Sequence, residues 1–256
     1  MVSAWTVGVD LPRLVTNIGT FTGYFDRILT LDSGASSGQR VWTDPAEWLW
    51  GWRHWLTLLG DTLLIAYLGT LLGAVAGFLL SFLATANLMP DGRVRFAAKR
   101  FLEFCRTVPD IVFALVFVIA FGLGPLPGVL ALAIHSAGAL GKLFAETVEN
   151  IDMKPVEGAV AAGASWPATI RYAVVPQVLA GFASYALLRF EVNVRQASVM
   201  GFVGAGGIGQ DLIEAIRKFY YADVSAILVL LALTVVVIDL VAERLRHALI
   251  DAERQG

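Results

Sequence analysis

Long apolar stretches separated by short polar segments run along most of this chain. A helix that crosses about 30 Å of hydrocarbon needs about 20 mostly apolar residues, and residues 63–84 reach this length without a charged side chain. The uncharged stretch 111–141 is too long for one crossing. The segment Gly122-Leu-Gly-Pro-Leu-Pro-Gly128 divides it, because proline removes a backbone donor and glycine weakens a helix. The pattern predicts about five crossings, at residues 63–84, 108–123, 127–146, 177–195 and 222–242.

The composition supports an integral membrane protein. Hydrophobic residues make up 57% of the chain and charged residues only 16%, whereas a soluble domain carries about a quarter charged residues. The net charge of −2 gives no indication of a nucleic-acid partner. The single cysteine, Cys105, excludes an internal disulfide, and no Cys/His spacing is typical of a metal site. The sequence after Met1 lacks the basic and apolar regions of a signal peptide. We therefore expect an all-α membrane protein.

The distribution of Lys and Arg predicts the orientation of the spans, because cytoplasmic loops carry an excess of these residues. Basic residues crowd the connection after the first span, at Arg93, Arg95, Lys99, Arg100 and Arg106. Arg244, Arg246 and Arg254 place the C-terminus on the same, cytoplasmic side. Alternation of the spans then puts residues 148–176 inside the cell and residues 1–55 outside.

Three parts of the chain follow from this topology. They are an extracytoplasmic or interfacial segment at 1–55, a transmembrane domain at 56–247 and a cytoplasmic tail at 248–256. The first part contains a tryptophan cluster, at Trp42, Trp48, Trp50, Trp52 and Trp55. Because tryptophan favours the membrane–water boundary, we predict an interfacial helix over 46–55. The alternative is a small soluble cap built around a tryptophan core.

The predicted cytoplasmic segment between the third and fourth spans contains Glu157-Gly-Ala-Val-Ala-Ala-Gly163, followed after nine residues by Ala173-Val-Val-Pro176. Alanines such as Ala159 favour a slim helix, and Gly163 permits a turn. Glu157 suits the first turn of that helix, and Pro176 suits the start of the next. The pattern predicts a short helix that fits a groove on a partner, through Glu157, Gly158, Ala159, Gly163 and Pro176. An ordinary alanine-rich loop helix is the alternative.

Gly204-Ala-Gly-Gly-Ile-Gly209 matches the G-x-G-x-x-G pattern of dinucleotide-binding proteins. That pattern requires a strand before it and a βαβ unit around it, whereas membrane segments flank this one. The Lys-Ser/Thr ending of a phosphate-binding loop is also missing. We predict instead a break in the helix at the outer side of the pore, where Gly204, Gly206, Gly207 and Gly209 form a gate or re-entrant element. A plain external loop is the alternative.

Charged side chains stand near the end of the fourth predicted span, in Arg189-Phe-Glu-Val-Asn-Val-Arg195. Charges inside a membrane are costly and indicate function by default. Glu191 and Arg195 are four residues apart and could neutralise one another, with Arg189 extending to the interface. In the alternative, Arg189 or Arg195 lines the translocation path beside Asn193 and offers its guanidinium to an oxyanion.

Glycines and a histidine within the spans allow two interpretations each. Gly69, Gly73 and Gly77 permit close helix contact, either within the bundle, which we favour, or at a dimer interface. His135 is expected to make a hydrogen bond in packing rather than to relay protons.

Together these residues resemble the permease subunit of phosphonate ABC importers, from about Trp48 to Arg246. The segment from Glu157 to Pro176 follows the spacing of the EAA loop of ABC permeases, with Gly158, Ala173 and Val175 departing from its usual residues. The Arg-Phe-Glu-x-Asn-Val-Arg run and the Pro176-Gln177 pair are similar to the phosphonate branch. The Gly-Ala-Gly-Gly segment is shared with methionine-type permeases.

This resemblance implies a type I importer fold with a cytoplasmic coupling helix, in the bacterial cytoplasmic membrane. It further implies a second permease subunit (the same chain or a paralogue), a cytosolic ATPase dimer and an extracytoplasmic binding protein. The cargo would be phosphonate or a related oxyanion, phosphate or phosphite. ATP and Mg would bind to the ATPase, and this chain would bind no cofactor. Members of the family commonly have one more N-terminal helix.

Other functions would require different residues in the sequence. A permease for another small solute, such as methionine, is the nearest alternative. An ATP-independent secondary transporter would need an ionisable relay, for which His135 and Asp239 are too few. A membrane-embedded enzyme would need a nucleophile–base pair or metal ligands, which the sequence does not offer, so we expect no catalytic residues.

Overall fold

The computed structural model describes residues 16–32 and 34–255, with side chains up to residue 249. Residues 1–15 of the predicted extracytoplasmic segment and the side chain of Arg254 therefore lie outside the described part. Within it the chain is helical, and the one β feature is an isolated antiparallel bridge between Thr30 and Arg40. The prediction of an all-α protein is confirmed.

Eleven α-helices follow one another in the described ranges. They are α1 Ile18–Ile28, α2 Pro45–Trp48, α3 Trp52–Ala84, α4 Gly92–Thr107, α5 Asp110–Phe121, α6 Pro125–Glu149, α7 Lys154–Ala161, α8 Trp166–Thr169, α9 Val175–Met200, α10 Ile208–Arg217 and α11 Tyr221–Gln255. A π-helix over Ile170–Val174 joins α8 to α9, and a 3₁₀-helix over Gly201–Val203 continues α9.

Four helical runs are long and apolar enough to span a membrane: Trp52–Ala84, Pro125–Glu149, Trp166–Val203 and Tyr221–Leu249. Helices α4 and α5 meet at an angle of 85° and make a fifth span when counted together. This agrees with about five crossings. The second crossing was predicted as one helix over 108–123. Helix α5 has only 12 residues and is about 18 Å long, too short to cross a bilayer alone.

The chain forms two compact units. One contains the described residues up to Trp55 together with Leu212–Leu230, and the other contains Leu56–Asp211 together with the described residues from Leu231.

In the first unit, the predicted single helix over 46–55 is wrong. Asp44 caps the short α2 by accepting a hydrogen bond from Glu47 N (3.1 Å), and the chain turns before α3 begins at Trp52. Trp55 is buried, whereas Trp42 and Trp50 are 61% and 70% exposed. The tryptophans thus do not form a shared buried core.

In the second unit, α6 packs closely against α3 along a row of glycines. A Cβ atom on Gly73 would lie 2.5 Å from Cβ of Ser136, and one on Gly77 would lie 2.9 Å from N of Gly141. A Cβ atom on Gly69 would lie 2.6 Å from Cβ of Leu132. The absence of side chains lets the two backbones approach. The expectation that these glycines pack within the bundle is confirmed.

Candidate functional site

Helix α7 is the short helix predicted between the third and fourth spans, and it is anchored by one face only. Val156 is buried in an apolar cluster with residues such as Val148 and Val174. Glu157 and Gly158 lie on the other face and are exposed. Val160, one turn after Val156, is 60% exposed. The exposed surface of α7 thus carries an acidic side chain, Glu157, and an apolar side chain, Val160.

Gly163 ends α7 in a left-handed conformation, with φ of +80°. Its N–H donates to Val160 O (2.9 Å), and Ala164 N donates to Ala159 O (3.0 Å). These two bonds form the Schellman motif that terminates helices, in which glycine avoids the strain of a positive φ. The predicted turn at Gly163 is confirmed.

Gln177 ties the start of the α7 segment to α9. Its side chain donates to Asp152 O (3.2 Å) and accepts from Asp152 N (3.1 Å). Asp152 in turn accepts a hydrogen bond from Lys154 N, in the first turn of α7 (3.0 Å). The sequence singled out the Pro176-Gln177 pair but gave Gln177 no role, since no local pattern indicates a bond across 25 residues.

Pro176 lies in the first turn of α9, as predicted, but the helical run already begins at Trp166. Val175 N donates to Ile170 O, five residues back. Pro176 supplies no backbone donor to the helix, and the single π turn before it has the form of a π-bulge within an α-helical run. The fourth span therefore starts eleven residues before Gln177.

Neighbouring segments hold the α7 loop from the sides. Trp166 Nε1 donates to Leu88 O (2.9 Å), and Asn87 Nδ2 donates to Val148 O (2.8 Å). Both contacts connect the loop and the end of α6 to the turn after α3. The base of α7 is thus fixed while its outer face stays exposed.

The charged run on α9 contributes to a polar network that joins three helices. Asn193, which is fully buried, donates to Thr70 Oγ1 on α3 and to Ser136 Oγ on α6, both at 2.8 Å. Arg189 Nε donates to the same Ser136 Oγ (3.0 Å), and Arg189 Nη2 donates to Gln196 (3.3 Å). These bonds hold Arg189 in the bundle.

Arg189 has no counter-ion at ion-pairing distance among the described residues. Asp110 attracts it from further away. Its Nη1 makes no hydrogen bond in the described part of the chain, so this end of the guanidinium is left to donate to another group.

The pairing of Glu191 with Arg195, one of the two interpretations of this run, is wrong. Glu191 lies 3.2 Å from Arg246, and Arg195 lies 3.6 Å from Asp239. Both partners belong to α11, seven residues apart and hence on one face of that helix. Helices α9 and α11 run antiparallel here, and each charge on α9 meets an opposite charge across the interface instead of along its own helix.

The glycine segment after α9 breaks the helix, as predicted. Gly204, Gly206 and Gly207 have φ values of +82°, +83° and +76°. Gly204 O accepts from Gly124 N (3.0 Å), and Ile208 N donates to Thr62 Oγ1 (2.9 Å). A Cβ on Gly209 would overlap Ser198 O, so α10 starts by folding back against the end of α9. The role of a gate stays a prediction.

His135 Nδ1 lies 3.2 Å from Val108 O, to which it donates when that nitrogen carries the proton. This supports the packing interpretation. No cluster of potential metal ligands occurs among residues 16–32 and 34–249.

Comparisons with known proteins agree with this architecture. The family model described as "Binding-protein-dependent transport system inner membrane component" matches residues 69–254, well over half of the chain. The phosphite transport permease PtxC of Stutzerimonas stutzeri is 43% identical over 74% of this chain and 69% of its own. The phosphate-import permease PhnE of Mycolicibacterium smegmatis is 42% identical over 77% of this chain but only 37% of its own.

Among solved structures, the methionine ABC transporter MetNI in an inward-facing conformation matches with a TM-score of 0.65. The match covers 80% of this chain and 98% of that chain at 21% sequence identity. At this identity the likeness shows a common fold.

Proposed function

Because the chain belongs to the binding-protein-dependent transport family of inner membrane components, we propose that it carries a phosphorus oxyanion through the cytoplasmic membrane of a bacterium. Phosphite, phosphonate and phosphate are the candidate substrates. The proposal rests on the identity of 42–43% with permeases named for phosphite and phosphate. The likeness to the methionine transporter concerns the fold and gives methionine no comparable support.

The exposed face of α7 is the proposed docking site for a cytosolic ATPase. Glu157, Gly158 and Val160 offer a small mixed surface on a helix that the buried Val156 anchors. Gly163 sets the length of this helix, and Gln177 connects its start to α9. ATP and Mg bind to that ATPase, and closure of the nucleotide-bound pair pushes α7 and reorients the spans.

Arg189 is the proposed contact for the oxyanion on the path. Glu191 and Arg195 each have an ionic partner on α11, whereas Arg189 is held by neutral side chains. A guanidinium with a donor to spare suits an anionic oxygen, because charge-assisted hydrogen bonds to such oxygens are strong. The Gly204–Gly209 segment, next to the turn at Gly124, is the proposed gate. A binding protein outside the cell, loaded with the oxyanion, supplies it to the permease.

The test uses the complete transporter, with its ATPase and binding protein, in proteoliposomes. We expect Glu157→Lys and Gly163→Asp to reduce ATP-driven uptake of phosphite at least tenfold and to weaken retention of the ATPase during purification. Glu214→Lys makes the same charge reversal at an exposed position of α10 and should leave retention of the ATPase unchanged.

Two outcomes would contradict the proposal. Uptake by well-expressed Glu157→Lys at the normal rate would remove the docking role of α7. Uptake of methionine but of no phosphorus oxyanion by the unaltered transporter would remove the substrate assignment.

A further inference from the structure

Helix α1 carries an apolar stripe that nothing in the described chain covers. Ile18 and Phe21 are each 64% exposed, and Phe25 is 48% exposed. With Leu29 just after the helix, these residues follow the i, i+3, i+7, i+11 spacing of one helix face. Thr20 and Arg27 occupy the opposite face. The stripe is one side of an amphipathic helix.

Contacts with the described part of the protein do little to stabilise α1. Nine of its eleven residues are exposed, and Ile28 is the buried one. Isolated helices shorter than about 12–15 residues are marginal in water, and most helical stability comes from packing an apolar face. The stripe therefore needs an occupant.

Contacts within the first unit place α1 at the beginning of a membrane span. Arg27 Nη1 donates to the Tyr221 hydroxyl (3.5 Å), and the rings of Tyr24 and Tyr221 meet edge to face with centroids 5.9 Å apart. Tyr221 is the first residue of the span Tyr221–Leu249. The end of α1 is thus held where that span begins.

The surface beyond this contact is apolar and exposed. Leu228 lies seven residues after Tyr221 and hence on the same face, about 10 Å further into the span. Leu228 and Val229 are 42% and 50% exposed, as expected of residues that face lipid. The end of α1 therefore lies next to an apolar surface that is exposed as the stripe is, while the stripe itself faces away from Tyr221.

Aromatic side chains of the same unit mark this level. The indole N–H of Trp50 donates to Asp223 (2.9 Å), two residues after Tyr221, while the ring remains 70% exposed. An apolar ring with a satisfied polar end is typical of the membrane–water boundary. Asp26 and Arg27 are the charged residues of α1 and leave the helix without net charge, and Asp26 is ion-paired with Arg40 (2.6 Å).

We propose that α1 lies in the outer interface of the membrane with Ile18, Phe21 and Phe25 inserted into the lipid. Its occupant is the lipid surface itself, at the boundary of headgroups and acyl chains. Because the helix is neutral, insertion depends on apolar burial and not on anionic lipid. The helix fastens the extracytoplasmic segment flat beside the span that starts at Tyr221.

Site-directed spin labelling tests this arrangement, and the chain is suited to it because Cys105 is its one cysteine. In a Cys105→Ala background, single labels are placed at Phe25→Cys and, as matched control on the opposite face, at Thr20→Cys. The protein is reconstituted into phosphatidylcholine vesicles, with and without phosphatidylglycerol. Collision rates with oxygen, which concentrates in lipid, and with a water-soluble nickel chelate are measured.

We expect the ratio of oxygen to nickel collisions at position 25 to exceed that at position 20 at least threefold in both vesicle types. A dependence on phosphatidylglycerol would overturn the neutral, apolar mode of insertion. Equal nickel access at both positions would show the stripe in water, and exclusion of both reagents at position 25 would show a protein cover. Either result overturns the proposal.

Hydrogen exchange of the unlabelled protein provides a measurement that does not depend on the cysteine variants. In phosphatidylcholine nanodiscs, the backbone amides of residues 18–28 should exchange at least tenfold more slowly in the unaltered protein than in the Phe21→Asp variant. Thr20→Asp adds the same charge on the other face and should leave the rates unchanged. Equal protection in Phe21→Asp would also overturn the proposal.

Discussion

Arg189 and Arg195 are two arginines on one helix with different surroundings. Arg195 lies 3.6 Å from the Asp239 carboxylate, and its side chain is 50% exposed. Arg189 is held by the hydroxyl of Ser136 and the amide of Gln196. Neutral partners position a guanidinium without neutralising it, and a charge of this kind within a span is costly and indicates function by default.

Substitutions at these two positions should therefore differ in effect. Arg189→Lys keeps the charge but loses the planar fork, and we expect oxyanion uptake to fall roughly tenfold, which corresponds to the loss of one charge-assisted hydrogen bond. Arg189→Gln should reduce uptake further. Arg195→Lys is the matched control and should transport normally, because lysine also pairs with Asp239.

ATP-driven uptake by the purified transporter in vesicles measures both effects. Normal uptake by Arg189→Gln would show that Arg189 only supports the packing of α6 against α9, while the function proposed for the whole chain would stand.

At the scale of elements, α9 and α11 are joined by ionic contacts that cross their interface. The Glu191 side chain is 10% exposed and that of Arg246 is 25% exposed. Breaking a buried pair by removing one partner costs about 3–5 kcal/mol, because the remaining charge stays buried. With the Arg195–Asp239 contact, this pair matches opposite charges at the observed register of the two helices.

Exchange of the two charges tests this register. Arg246→Gln should lower the free energy of unfolding by roughly 3 kcal/mol, and Glu191→Arg combined with Arg246→Glu should recover most of the loss. The thermal midpoint in nanodiscs is the measurement. Lys142→Gln removes one end of the exposed Lys142–Glu146 pair and should change the stability by less than about 1 kcal/mol. Failure of the exchange to recover stability would contradict the pairing.

Local features of these elements were predictable from the sequence, and contacts between elements were not. Gly163 ends α7 as expected, because a left-handed cap depends on three or four adjacent residues. The pairing of Glu191 with Arg195 was wrong because the alternative partners lie on α11, about 50 residues away. Gln177 was seen only as part of a pattern, since its bond to Asp152 spans a loop. The row of Gly69, Gly73 and Gly77 was interpreted correctly, because its spacing alone indicates a close helix contact.

At the scale of the whole molecule, the direction of the chain through the membrane decides what α7 can touch. The basic residues after α3 and near the end of α11 predict a cytoplasmic α7, and the family is one of inner membrane components. The orientation itself stays a prediction, because a bundle of apolar helices packs equally well in either direction.

Chemical labelling measures this orientation directly. In the Cys105→Ala background, Ala162→Cys after α7 and Gln39→Cys in the first unit place single exposed thiols in loops. A membrane-impermeant maleimide added to intact spheroplasts should react with position 39 and reach position 162 only after permeabilisation. The reverse pattern would exclude contact between α7 and a cytosolic ATPase.

The double hydrogen bond between Gln177 and Asp152 has a mechanical consequence. Arg189 lies twelve residues further along α9, or about 18 Å, so a single helix carries both the residue bonded to the α7 segment and the proposed oxyanion contact. Gln177→Glu keeps the acceptor and loses the donor, and it should leave ATP hydrolysis intact while more ATP is spent per oxyanion delivered. An unchanged ratio of ATP hydrolysed to oxyanion transported would show that α7 is coupled to the spans through other contacts.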